Sequence, residues 1–208
     1  MSAAHSSLDA HALALAKASG LFRAREAAAA GIPATILSRL VAQGKLERVG
    51  RGLYQHPDVA LDEHASLLHV VKCVPGGVLV LLSALAWRHI GTQSPHQVWL
   101  LLPHNAMSPR LTWPPLKVVR ARNAESFTEG VETHAIGVPE SGMALRVTNP
   151  ARTVADCFKY RRQVGLDVCL EALREVLGKR QATVAELARH ARMNRVENIM
   201  RPYLEALA

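Results

Sequence analysis

Cysteine is scarce and scattered in this 208-residue chain. Cys73, Cys157 and Cys169 are odd in number, far apart, and show no CxxC or Cys/His spacing. That argues against a metal site and leaves buried, reduced thiols as the expectation. Long hydrophobic runs are missing as well. The most apolar window, Val78 to Ala86, is far shorter than the ~20 residues that span a bilayer. No signal-peptide pattern opens the sequence, so a soluble cytoplasmic protein with no membrane partner is expected. The phosphate-cradling loops GxGxxG and GxxxxGK[ST] are absent, and Gly76-Gly77 is followed by apolar residues without a lysine. Nucleotide binding through such loops is therefore not expected. Internal repeats, heptads and low-complexity tracts are also lacking.

Carboxylates do not cluster. A metal-dependent nuclease needs grouped Asp and Glu, usually with a lysine near a strand, to hold the ion and activate water. Glu132 has no such partner at useful spacing, and Asp156 lies in an expected helix. His64 and His69 are five apart, whereas ligands on one helix face would be four apart. His104 follows the run LLLP but no nucleophile is placed with it, and His134 alternates with apolar neighbours as a strand-surface residue would. Neither catalysis, metal nor cofactor is expected.

What the chain does have is positive charge and a solid apolar fraction. Apolar residues make up 49% and the formal net charge is +8, with a pI near 9.9. A globular protein with a polyanionic partner fits both numbers. The excess is +3 before residue 60 and +5 after it, so neither half owns it.

Residues 20–54, GLFRAREAAAAGIPATILSRLVAQGKLERVGRGLY, are the most informative segment. Alanine-rich Arg23 to Ala30 predicts a short helix. Gly31 sits where a helix C-terminus needs a left-handed residue, and Pro33 suits the first turn of the next helix. Two helices joined by a tight glycine turn form a helix-turn-helix. In the second helix Ile36, Leu37, Leu40 and Val41 define one apolar stripe; Thr35, Ser38, Arg39 and Ala42 lie opposite, with Gln43 at the edge. Gly44 stops it. Such a small polar face suits a major groove, where arginine pairs with guanine and Ser or Thr reaches bases or phosphates. Two alternating runs, 46–49 and 53–55, then flank Gly50-Arg51-Gly52 and predict a hairpin. Lys45, Arg48 and Arg51 on or beside that hairpin are placed for backbone phosphates. A helix over Leu8 to Ala18 completes a three-helix core. The whole reads as a winged helix-turn-helix.

Beyond a linker at His56-Pro57-Asp58, helices are expected over 61–73 and 78–90 and strands over 97–102, 116–121, 131–136 and 145–147. Pro150 opens a helix capped by Thr148 or Asn149 and running to Tyr160. A helix over 167–177, another from Thr183 with a capping box to Glu186, and a last one over 194–207 interrupted near Pro202 complete the chain. The fold class is α+β: a winged helix-turn-helix (1–58) followed by a mixed α/β domain (59–208) with a small sheet and a helical C-terminal part. Arg152 and Asp156 are four apart on one helix face and can pair. The functional alternative groups Arg146, Arg152, Lys159, Arg161 and Arg162 as a secondary basic surface.

With these residues in view, the chain resembles the AbiEi family, antitoxins and transcriptional regulators of type IV (abortive-infection) toxin–antitoxin systems. The resemblance is carried by GLFRAREAAAAGIPATILSRLVAQGKLERVGRGLYQHP and, further on, by LLSALAWRHIG, QVWLLLP and VTNPARTVADCF. It implies a repressor that binds inverted repeats of double-stranded DNA in its own promoter through a recognition helix at 34–43 and a wing at 48–54. It also implies an antitoxin countering a nucleotidyltransferase-like toxin without a stable complex. A palindromic site needs two heads, from a dimer or from two monomers. The alternatives are a DNA-tethered nuclease or nucleotidyltransferase-like enzyme, and a winged-helix protein-interaction adaptor.

Overall fold

The computed structural model describes residues 2–58, 65–109, 111, 113–137 and 142–207. Its contacts divide the chain into two compact units. One comprises residues 1–75 with 109–114 and 135–144; the other comprises 76–108, 115–134 and 145–208.

The first unit opens with α1 (Ser2–Ser19), β1 (Leu21–Arg23), α2 (Ala24–Ala29) and α3 (Ala34–Ala42). Gly31 takes φ +76° between α2 and α3, and Gly44 takes φ +68° after α3. Both are left-handed positions that a side chain would strain, as the turn chemistry requires. The hairpin β2 (Glu47–Gly50) and β3 (Leu53–Gln55) follows, and α4 (Ala65–Cys73) closes the continuous part. The expected helix began at Leu61; residues 61–64, His64 among them, lie outside the described residues.

Leu21 and Phe22 are more than an apolar lead-in. They form a third strand, pairing antiparallel with β3 through Phe22 opposite Tyr54, and the sheet order is β1-β3-β2. The Phe22 and Tyr54 rings stack with centroids 5.8 Å apart. Beneath them, Ala12 and Ala16 from α1, Ala27 from α2, and Ile36, Leu37 and Leu40 from α3 form one buried cluster with Leu46. Each large side chain so enclosed contributes about 1.5–3 kcal/mol. The helices and the wing thus share one core.

The second unit contains a five-stranded sheet of order β6-β5-β4-β8-β7. Its strands are β4 (Val78–Leu79), β5 (Val98–Pro103), β6 (Leu116–Ala121), β7 (Val131–Ala135) and β8 (Ala144–Thr148). It is mixed: β4 runs antiparallel to β5 and parallel to β8, and β5 runs parallel to β6. The expected helix over 78–90 is corrected here. Its first residues are the short central strand β4, and only Leu81–Trp87 are helical (α5). An apolar run without periodicity fits a buried strand and a buried helix equally.

After a 3-10 turn at Ala124–Phe127, the C-terminal part is helical: α6 (Pro150–Lys159), α7 (Arg161–Val164), α8 (Leu166–Gly178), α9 (Val184–Met193) and α10 (Glu197–Leu207). Asn149 caps α6, its Oδ1 accepting from the Arg152 N–H at 2.8 Å. Thr183 and Glu186 form the capping box of α9: the Glu186 N–H donates to Thr183 Oγ1 (3.2 Å) and the Thr183 N–H to Glu186 Oε2 (2.7 Å). Every residue of α6 from Ala151 to Phe158 is buried, which makes it the central helix of this unit. Pro202 does not interrupt the last helix. It lies exposed inside α10, where water can satisfy the carbonyl it leaves without a partner.

Candidate nucleic-acid interface

The polar face expected on α3 is open. Thr35, Ser38, Ala42 and Gln43 are exposed, while Ile36, Leu37 and Leu40 are buried. The 3.6-residue period explains the split: the stripe that fills the core leaves these side chains outward. Lys45, Arg48 and Arg51 are exposed as well. Arg48 bends back so that its Nε donates to the Gly50 carbonyl at 3.4 Å, and Arg51 stands in the hairpin turn.

Arg39 is different. Its guanidinium pairs through Nη2 with Asp9 Oδ1 on α1, and the two side chains are 36% and 24% exposed. Its Nε is buried without a hydrogen-bond partner. Helix α1 thereby does more than fill the core: it holds the one cation of the α3 face in a fixed pose. Thirty residues separate the pair, and no spacing rule links them.

The supporting roles of two further residues escaped the sequence reading. His69, buried on α4, lies under the wing: a Cβ at Gly50 would come within 3.2 Å of its Cε1. Burial, aided by the charge of Arg23, holds its pKa below the ordinary histidine value, and the ring packs beneath Gly50 of β2. Lys72 on α4 pairs with Glu26 on α2 at 2.9 Å. Glu26 also accepts from the Arg23 N–H at 2.7 Å, tying β1 to α2. Burial of Glu26 opposes ionisation, but Arg23 and Lys72 together leave its pKa below the ordinary value. Cys73, expected to be buried, is only partly so; Cys157 and Cys169 are buried, and all three are free thiols.

The secondary basic surface is corrected. Arg152 is only 3% exposed; it donates to the carbonyls of Ser126 (2.9 Å) and Glu129 and pairs with Asp156 at 3.4 Å. Arg146 donates to the carbonyls of Gly76 (3.1 Å) and Phe127. Arg161 donates to the Phe158 carbonyl at 3.1 Å. Arg152 is an internal strut and Arg146 and Arg161 are half-buried ones, because backbone carbonyls left over by the loops need donors. Lys159 and Arg162 alone of the five are exposed. Among the described residues no group of three or more His, Cys, Asp or Glu is placed to hold a metal ion, and no helix is long and apolar enough to cross a membrane.

Helix, glycine turn, helix and a basic hairpin around one core define a winged helix-turn-helix. Residues 12–57 match the family described as transcriptional regulator, AbiEi antitoxin, and over that segment the resemblance read from the sequence holds. No curated protein matches the chain.

Proposed function

We propose that this chain is a sequence-specific DNA-binding repressor and the antitoxin of a type IV toxin–antitoxin system. In this reading residues 1–58 form the DNA-reading head. Thr35, Ser38 and Arg39 of α3 address base edges in the major groove, with Gln43 at the margin. Lys45, Arg48 and Arg51 hold phosphates, which fix register without reading sequence. Asp9 positions Arg39. The chain acts in the cytoplasm, binds inverted repeats in its own promoter, and residues 59–208 counter a nucleotidyltransferase-like toxin without a lasting complex.

The observation that carries this reading is the open polar face of α3 beside a basic wing, within the segment that matches regulator antitoxins. The net charge of +8 supports a polyanionic partner. The test is a titration of the full chain against DNA from immediately upstream of its own coding sequence, with a shuffled fragment as control. Tighter binding to the upstream fragment, lost in Arg39→Ala, is the expected result. Equal affinity for the two fragments would refute sequence-specific repression. Growth rescue of cells expressing the neighbouring toxin gene tests the antitoxin half.

A further inference from the structure

The second unit holds a cleft of about 280 Å³ that the regulator reading does not use. Its floor is apolar. Leu101 of β5 and Val119 of β6 face each other in register there, joined by Val80 and Leu81. The rest of the lining is mostly polar and carries more positive than negative charge: Arg120, Arg122, Arg152 and Lys159 against Glu125 and Asp156.

Internal structure accounts for part of this lining. Arg120 donates to the carbonyls of Pro103 (2.8 Å) and Ala106 (2.6 Å) and to Ser108 Oγ. Arg152 is occupied by Ser126, Glu129 and Asp156. Asp156 is buried among them, its Oδ1 accepting from Asn194 Nδ2 at 2.7 Å. Burial pushes its carboxyl pKa up, against the pull of Arg152, Asn194 and Lys159. Two cations of the lining stay exposed. Arg122 is exposed and makes no hydrogen bond or ion pair among the described residues. Lys159 is exposed, donates to Asn194 Oδ1 at a long 3.4 Å, lies 5.9 Å from the Tyr160 ring centroid, and its charge is felt by the buried Asp156 carboxyl.

Backbone strain meets the same cleft. Leu81 is buried with φ +52°, a conformation that costs a bulky residue about 1–3 kcal/mol and concentrates at ligand sites. The volume sits at the small end of ligand pockets, which run from roughly 300 Å³ upward. It admits one ring system and one phosphate, and is far too narrow for a duplex.

We infer that this cleft binds a small phosphorylated molecule bearing an apolar ring, of mononucleotide size. Arg122 and Lys159 take the phosphate, and the ring lies over Val80, Leu101 and Val119. Cations hold phosphate through charge-assisted hydrogen bonds, and the floor offers the ring a small apolar contact, since Val80, Leu101 and Val119 are each less than one-tenth exposed. The site goes beyond DNA reading, and its test uses no DNA, so neither outcome depends on the repressor assignment.

The experiment is calorimetric titration of the full chain with AMP, GMP, CMP and UMP, and with inorganic phosphate, at fixed salt. At least one monophosphate is expected to bind once per chain and more tightly than phosphate. Arg122→Ala and Lys159→Ala, both exposed positions that leave the fold intact, should each weaken it about tenfold or more. Arg25→Ala, an exposed cation of the first unit, should change nothing. Absence of saturable binding at millimolar nucleotide overturns the inference. So does phosphate binding as tightly as nucleotide, or an equal loss in Arg25→Ala.

Discussion

Replacing Asp9 with alanine isolates what α1 does for the α3 face. The Asp9–Arg39 pair is partly exposed, so its contribution to folding is screened and about 0.2–1 kcal/mol. Its effect on recognition is larger. An unpaired arginine on a helix surface samples many rotamers, and ordering such a side chain at an interface costs about 0.5–1.5 kcal/mol. Asp9→Ala should therefore weaken binding to the specific fragment about two- to twelvefold. Removing one carboxylate beside a polyanion acts oppositely on non-specific DNA, whose binding is governed by phosphate charge. That charge effect is common to both fragments and cancels in the ratio of the two affinities, so discrimination falls by the ordering cost alone. Fluorescence anisotropy with the upstream and shuffled fragments at one salt concentration measures it, with urea unfolding as the check on folding. Arg39→Ala alone should cost about 1–3 kcal/mol on the specific fragment. In that background Asp9→Ala should no longer alter discrimination, since the carboxylate acts through the guanidinium. Tighter specific binding by Asp9→Ala with undiminished discrimination would refute the argument and make the pair an obstacle to recognition.

Four other perturbations have defined outcomes. Arg51→Ala should lower affinity for every DNA sequence and flatten the plot of log K against log salt by about 0.9, the loss of one phosphate contact; an unchanged slope contradicts its role. Leu37→Ala empties a fully buried position in the helix–wing core and should cost about 2–5 kcal/mol in urea unfolding. Gly130→Ala forces a Cβ to φ +61° and within 2.8 Å of His190 Cε1 and 3.1 Å of Arg152, so destabilisation above about 1 kcal/mol is expected. His190 is buried on α9, and burial, then the charges of Arg189 and Arg152, lower its pKa from 6.5 to about 4 against the pull of Glu129 and Glu186. Between those values the unfolded chain binds more protons than the folded one. Stability therefore drops as pH falls from 6.5 towards 4 and levels off below. His190→Gln should remove that share of the slope in a urea series across the window.

How far the sequence could be read follows from the range of each interaction. Helix α3, its glycine stops, the hairpin, the caps of α6 and α9 and the Arg152–Asp156 pair all depend on residues within a few positions, and pattern or turn chemistry specifies them. Strand β1 depends on pairing with β3 some thirty residues away, and three residues carry too little pattern to declare it. Strand β4 hides in an apolar run because both its faces are covered. Arg152 could be read as the partner of Asp156 or, alternatively, as surface charge, because nothing local says that the 3-10 turn closes over it. Asp9 stands out only once α1 is docked on α3, and the cleft of the second unit assembles residues from β4 to α9. Long-range assembly decides these cases, and the linear pattern carries no trace of it.

The hydrogen bond from the Ala24 N–H to the Gly52 carbonyl, 2.9 Å long, has a mechanical consequence. It joins the start of α2 to the tip of the wing, while β1 laces the same hairpin to the chain ahead of it. Helix α3 shares one buried core with α2, Leu46 and Tyr54, so α3 and the ribbon travel as a single stiff clamp whose jaws keep their gauge. On the proposed DNA-reading role, a duplex meeting that clamp would have to adjust its own groove width or curvature to be gripped at both places, so sequences that bend cheaply should be favoured even at base pairs no side chain reaches.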